Sequence, residues 1–103
     1  MADATIDVST AEAGEEEWTF DVDVSGTSAT RHTVTMRRVD YERLTGRTTK
    51  VGEMAGPETF IRGTFEFLLK REPQGSILRK FDITVIPRYF PEYEEEMMRR
   101  YKV

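Results

Sequence analysis

The sequence lacks several residue types that particular functions require. Its 103 residues include no cysteine, which excludes disulfide bonds, thiolate zinc sites, iron–sulfur clusters and cysteine nucleophiles. A single histidine, His32, would have to carry most acid–base mechanisms. No apolar run approaches the ~20 residues that a transmembrane helix needs, so no membrane attachment is expected. The first residues resemble no secretory signal, and we therefore expect a cytoplasmic protein.

Basic residues are absent from the first 24 positions, which carry eight acidic ones. The rest of the chain therefore contains the other 11 of the 19 acidic residues and all 15 basic residues. The chain is thus an acidic arm followed by a mildly basic body, although its formal net charge is −4. Residues 1–16 contain only Ile6 and Val8 as branched aliphatic residues, and we predict that this segment is a disordered acidic tail.

The pattern of residues 17–103 predicts a single α+β domain. Apolar and polar residues alternate over 18–24 and again over 31–37, and a glycine-containing loop separates the two runs. This arrangement predicts an antiparallel hairpin. A third strand is predicted over 81–86, where β-branched residues dominate. Together these segments predict a small antiparallel sheet with helices packed against it.

Three helices are predicted around this sheet, in the overall order β-β-α-α-β-α. A short helix is expected after Asp40 as its N-cap and before Gly46 at its C-terminal end. The main helix is expected to begin near Pro57, and Gly63 in its middle indicates close packing against another element. The C-terminal helix is expected to begin at Pro91.

The C-terminal segment "RYFPEYEEEMMRRY", residues 88–101, has the highest density of aromatic and charged residues in the chain. As a helix it would align one docking stripe, formed by Phe90, Tyr93, Met97 and Tyr101. Bulky side chains left outside a docking stripe are of the types enriched at protein interfaces. Tyr89 and Met98 lie outside the stripe, and the predicted interface consists of these two residues together with Tyr93 and Tyr101 of the stripe.

These patterns favour a non-enzymatic protein-interaction or regulatory module. Its partner would be another protein or a second copy of the chain, and a homodimer through the C-terminal helix is the specific form of this hypothesis. No cofactor is expected.

The alternative hypothesis is weak binding of nucleic acid or another anion. Basic residues are concentrated between positions 31 and 50, and two of them would share an exposed face of the hairpin. The acidic tail would then screen this region, although aspartates 21 and 23 on the neighbouring strand could neutralise it instead. The residues of this basic region are Arg31, Arg37, Arg38, Arg43, Arg47 and Lys50.

Catalytic and metal-binding motifs are not found in the sequence. The loop "GRTTKVGEMAG" lacks the Gly-Lys-Ser/Thr that a P-loop requires. Glutamates 94–96 would point around different sides of a helix and could not converge on one ion. An enzymatic role would depend on His32 together with Asp82 or an arginine, whereas a partly buried, hydrogen-bonded sheet histidine is the favoured interpretation.

Overall fold

One mixed β-sheet forms the frame of the molecule. The computed structural model describes residues 4–26, 28–50 and 52–103. Within these ranges the sheet has four strands, arranged in chain order: β1 (Thr5–Ala13), β2 (Glu17–Ser25), β3 (Ala29–Arg37) and β4 (Lys80–Asp82). The strand pairs β1–β2 and β2–β3 are antiparallel, and β3–β4 is parallel.

Helices connect β3 to β4 and complete the C-terminal part of the chain. The α-helices of the described ranges are α1 (Arg38–Thr45), α2 (Ala55–Leu69), α3 (Ile86–Tyr89) and α4 (Tyr93–Tyr101). Short 3₁₀ turns lie at Gln74–Ser76 and Ile83–Val85. The predicted α+β class is confirmed. In the part of the chain that the structure describes, every helix is too short or too polar to cross a bilayer.

The β2–β3 hairpin is the strongest match between sequence pattern and structure. Trp18, Phe20, Val22 and Val24 of β2 are all buried, and the polar residues between them remain at least partly exposed. Phe20 pairs with Val34 and Trp18 with Met36 across the two strands, so both strands present the same apolar face. Helix α2 covers this face and supplies the other half of the core, which includes Ile61 and Phe65.

The predicted disordered tail is wrong for Thr5–Ala13, because these residues form strand β1. They pair with β2 along its length, with a bulge between Thr10 and Glu12. Ile6 and Val8 pack against the core, and the Thr10 hydroxyl donates a 2.6 Å hydrogen bond to Glu58 of α2. The composition is too polar for this segment to fold alone, but the β2 edge supplies backbone partners and α2 covers its aliphatic side chains.

The predicted third strand and its antiparallel pairing also need correction. Only Lys80–Asp82 is a strand, and it runs parallel to β3. The chain then turns because the Asp82 carboxylate accepts a 3.0 Å hydrogen bond from the backbone N–H of Thr84. Pro87 lies at the start of α3, where its fixed φ angle suits a first helical turn. The β-branched run 83–86 is therefore helical in spite of its strand propensity.

The short helix α1 ends as predicted and begins differently. Gly46 ends it with a positive φ of 68°, a conformation that glycine adopts without strain. Asp40, the predicted N-cap, instead lies within the helix and is buried, because its carboxylate forms ion pairs with Arg37 and Arg43. The residue at the N-cap position is Arg37.

The predicted docking stripe of the C-terminal helix is confirmed. Tyr93 and Met97 are fully buried, and Phe90 and Tyr101 are half-buried against the core. Tyr101 lies directly against Gly63 of α2, which explains why the main helix contains a glycine at that position. Most of the aromatic residues of this segment therefore pack against the core of their own domain.

Candidate functional site

An apolar groove lies between the C-terminal end of α2 and helix α3. Its volume is about 170 Å³. A closed apolar cavity of ~150 Å³ is large enough for benzene, so this groove has room for one aromatic ring or one branched aliphatic side chain. The residues that line it are Leu68, Glu72, Ser76, Ile77, Leu78, Phe81, Val85, Ile86, Tyr89 and Phe90.

The floor and the rim of the groove differ in exposure. Ile77, Phe81 and Ile86 belong to the buried core and form the floor. Leu78 and Tyr89 stand at the rim, and 49% and 69% of their surfaces are exposed. Single exposed apolar residues are common on protein surfaces, but two of them beside a concave apolar floor are typical of a binding site.

The wall that carries Leu78 is held in place by Gln74. Its side-chain amide donates hydrogen bonds to the carbonyl oxygen of Val24 at 3.0 Å and to the hydroxyl of Thr30 at 2.9 Å. Both acceptors belong to the hairpin strands, so the 3₁₀ turn Gln74–Ser76 is joined to the sheet. The groove is therefore a preformed feature of the fold and does not depend on a free loop.

His32 supports the same wall from inside the core. Its Nδ1 lies 2.7 Å from the carbonyl oxygen of Leu78, so this nitrogen carries the proton and donates. Nε2 then accepts a 2.9 Å hydrogen bond from the Thr30 hydroxyl. The ring is fully buried beside Phe65, and burial lowers the pKa of His32. The prediction of a hydrogen-bonded sheet histidine is confirmed, and the ring is fully buried where partial burial was predicted.

The pairing of His32 with Asp82 in a catalytic site does not occur. His32 lies on the core face of β3, and its ring contacts helix α2 and the Leu78 carbonyl. The Asp82 carboxylate lies on the opposite face of the sheet, where it accepts a 2.6 Å hydrogen bond from the Thr35 hydroxyl. Within the described residues, moreover, no three metal-ligating side chains of the His, Cys, Asp or Glu types come together.

Glu72 is the acidic residue of the groove wall. The residue is half-buried, and burial raises the pKa of its carboxyl group. Among the residues that the structure describes, no lysine or arginine forms an ion pair with it. The groove therefore combines an apolar floor with one carboxyl group that has no cationic partner.

The four predicted interface residues occupy different environments. Tyr89 is exposed at the rim of the groove. Tyr93 is only 1% exposed, and its hydroxyl donates to Thr64, so its prediction as an interface residue is wrong. Burial raises the pKa of Tyr93 well above its ordinary value. Met98 and Tyr101 are half-buried against the core and do not line the groove.

The sequence pattern gives little indication of the other residues of the groove. Leu78 lies in "GSILRKF", whose short length and mixed composition give no clear period. The lining residues come from several short segments between Leu68 and Phe90, which meet only in the folded protein. The one available signal was Tyr89, the aromatic residue that fits no docking stripe.

The predicted basic region does not form one positive surface. The Arg31 guanidinium pairs with Asp23 across the hairpin at 2.8 Å, which is the neutralising arrangement considered from the sequence. Arg37 and Arg43 pair with acidic groups of α1 and α4, namely Asp40 and Glu94. Arg31, Arg37 and Arg43 are therefore already matched by carboxylates.

The remaining three basic residues lie near the loop between α1 and α2. Arg38 packs over the Trp18 ring at 5.7 Å and donates to the carbonyl oxygen of Thr49, whereas Arg47 and Lys50 are exposed. Arg38 and Lys50 border a cavity of only about 40 Å³. That volume suits a few water molecules and is too small to enclose a nucleotide.

Comparisons with known proteins found no match to this chain. No family model, no curated protein and no solved structure matches the chain. The functional proposal therefore depends on the groove itself.

Proposed function

We propose that this chain is a protein-interaction module, and that its groove binds a bulky apolar side chain next to a basic residue on a partner segment. The observation that carries the proposal is that Leu78 and Tyr89, two exposed bulky side chains, line the same groove as the buried apolar residues of its floor. Burial of such side chains contributes ~25 cal/mol for each Å² removed from water, which favours docking of an apolar group.

Glu72 supports the choice of a basic neighbour on the partner. Burial raises the pKa of its carboxyl group, and no ion pair within the described residues offsets this effect. An arginine or lysine beside the docked side chain would restore the charged carboxylate to a favourable environment. A partner with an acidic residue at that position would leave two carboxyl groups together and would bind less well.

A titration with short peptides tests this proposal. The probe is an acetylated peptide amide of sequence Ser-Arg-Phe-Ser, added at millimolar concentration to ¹⁵N-labelled protein. We expect chemical-shift changes at the backbone amides of Leu78 and Tyr89. Peptides of sequence Ser-Glu-Phe-Ser and Ser-Arg-Ala-Ser should bind at least several-fold more weakly, because each lacks one of the two recognised groups.

A pair of surface variants supplies the control. Leu78→Asp places a charge at the rim and should abolish the shifts, whereas Val39→Asp should leave them unchanged. Val39 is a comparable choice because 58% of its surface is exposed and it lies on α1, away from the groove. Equal responses to all three peptides, or shifts that survive Leu78→Asp, would contradict the proposal.

Weak nucleic-acid or anion binding is the less favoured alternative. It is supported only by the exposed Arg47 and Lys50, since Arg31, Arg37 and Arg43 are paired with acidic groups. Fluorescence anisotropy of a labelled 20-nucleotide single strand at low salt tests it directly. Removal of residues 1–16 is not a suitable test, because it deletes strand β1.

A further inference from the structure

We propose that the groove receives Arg88 and Tyr89 of a second copy of this chain, in a two-fold symmetric dimer. This inference rests on the proposed function and names the partner of the same groove. A two-fold interface requires a surface that is complementary to itself, because each copy presents the same groove and the same projecting group.

The apolar half of this complementarity is supplied by Tyr89. Its side chain is 69% exposed at the edge of the groove, so the projecting ring and the receiving groove lie side by side. In a symmetric pair, the Tyr89 ring of each copy enters the groove of the other across one axis. The groove volume of about 170 Å³ matches a single aromatic ring.

The charged half is supplied by Arg88 and Glu72. Arg88 precedes Tyr89 on the same helical turn and is exposed. Within the described residues, neither the Arg88 guanidinium nor the Glu72 carboxylate forms an ion pair. Insertion of Tyr89 into the groove of the other copy brings these two unmatched charges together, twice per dimer.

The contact is small, and the dimer should accordingly be weak. Specific interfaces of standard size bury ~1,600 Å² in total, whereas transient ones fall below ~1,200 Å². An interface built on one ring and one ion pair per copy belongs to the transient class. Sedimentation of the full chain up to about 1 mM is therefore needed, with dissociation constants expected in the micromolar to millimolar range.

Charge reversal tests the geometry directly. Glu72→Arg alone and Arg88→Glu alone each place two like charges together at both contacts, and each should weaken self-association at least tenfold. When these two variants are mixed, every contact again joins an acid to a base, so a heterodimer should form. Tyr89→Ala should also weaken association at least tenfold, whereas Val39→Ala, at an exposed position on α1, should have no effect.

Thermal unfolding of each variant controls for loss of the fold. A wild-type chain that stays monomeric at 1 mM would overturn the inference, as would a dimer that is insensitive to Tyr89→Ala or a mixture that does not associate. If the wild-type chain is monomeric but the Ser-Arg-Phe-Ser peptide still shifts Leu78, only the dimer is refuted. If that peptide also fails to bind, the interaction function of the groove is refuted as well.

Discussion

The contact between Gly63 and Tyr101 predicts an unusual response to a glycine-to-alanine substitution. A methyl group at position 63 would lie 2.8 Å from ring carbons of Tyr101 and closer still to its hydroxyl oxygen. The ring also packs against Phe60, at a centroid distance of 5.6 Å. Accommodation of the methyl group therefore requires α4 to move outward or the ring to leave its site.

Two opposing effects determine how much Gly63→Ala changes the free energy of unfolding. Replacement of glycine by alanine within a helix gains ~1 kcal/mol of intrinsic stability. Overpacking of a filled site costs roughly 1–3 kcal/mol. Gly63→Ala should therefore lower the free energy of unfolding by about 0–2 kcal/mol. In a Tyr101→Ala background the obstacle is gone, and the same substitution should raise stability by ~1 kcal/mol.

Urea unfolding followed by Trp18 fluorescence and circular dichroism measures this double-mutant cycle. A coupling free energy of about 1–3 kcal/mol is expected between positions 63 and 101. Gly75→Ala is the matched control, because no atom lies within 4 Å of a methyl group built there. If Gly63→Ala stabilises both backgrounds equally, the packing of α4 against α2 is not as described.

Two further predictions follow from buried polar groups. Burial lowers the pKa of His32 below 6.5, so the unfolded state takes up this proton first as the pH falls. The contribution of His32 to the free energy of unfolding should be present above pH 6.5 and should be lost progressively below it. An NMR titration of the His32 ring in the folded protein with a midpoint at or above pH 6.5 would contradict this. Tyr93→Phe removes a buried 2.8 Å hydrogen bond to Thr64 and should lower the free energy of unfolding in urea by about 0.5–1.5 kcal/mol. Tyr89→Phe at the exposed rim should change the free energy of unfolding by less than ~0.5 kcal/mol. Equal effects of the two phenylalanine substitutions would count against the burial of Tyr93.

The sequence predicted best where one period continued over a whole element. The alternation around Trp18 and Val34 defined the hairpin, and the spacing of Tyr93 and Met97 defined the buried face of α4. In both cases the element buries one face along most of its length, so the pattern and the packing carry the same information. The glycine at position 63 also indicated its close contact in advance.

The predictions failed where contacts outweigh the composition or the local propensity of a segment. Strand β1 is polar in composition, and Ile6 and Val8 are half-buried only because β2 and α2 lie beside them. Residues 83–86 have strand propensity, yet the Asp82 carboxylate turns the chain into a 3₁₀ turn. Local propensity is worth at most ~1 kcal/mol per residue, so the tertiary contacts of β1 override it, and so does the local hydrogen bond that Asp82 accepts from Thr84.

The same distinction applies to the candidate site. From the sequence alone, Tyr89 could be recognised as an aromatic residue outside every docking stripe. The absence of cysteine also excluded disulfide bonds, thiolate metal sites and cysteine nucleophiles, and no catalytic motif was found. Only the tertiary structure decided that Leu78, Glu72 and Tyr89 line one groove. The physical reason is that periodicity reports which face of one element is buried, whereas a groove is the space left between several elements, and that space is fixed only when they pack together.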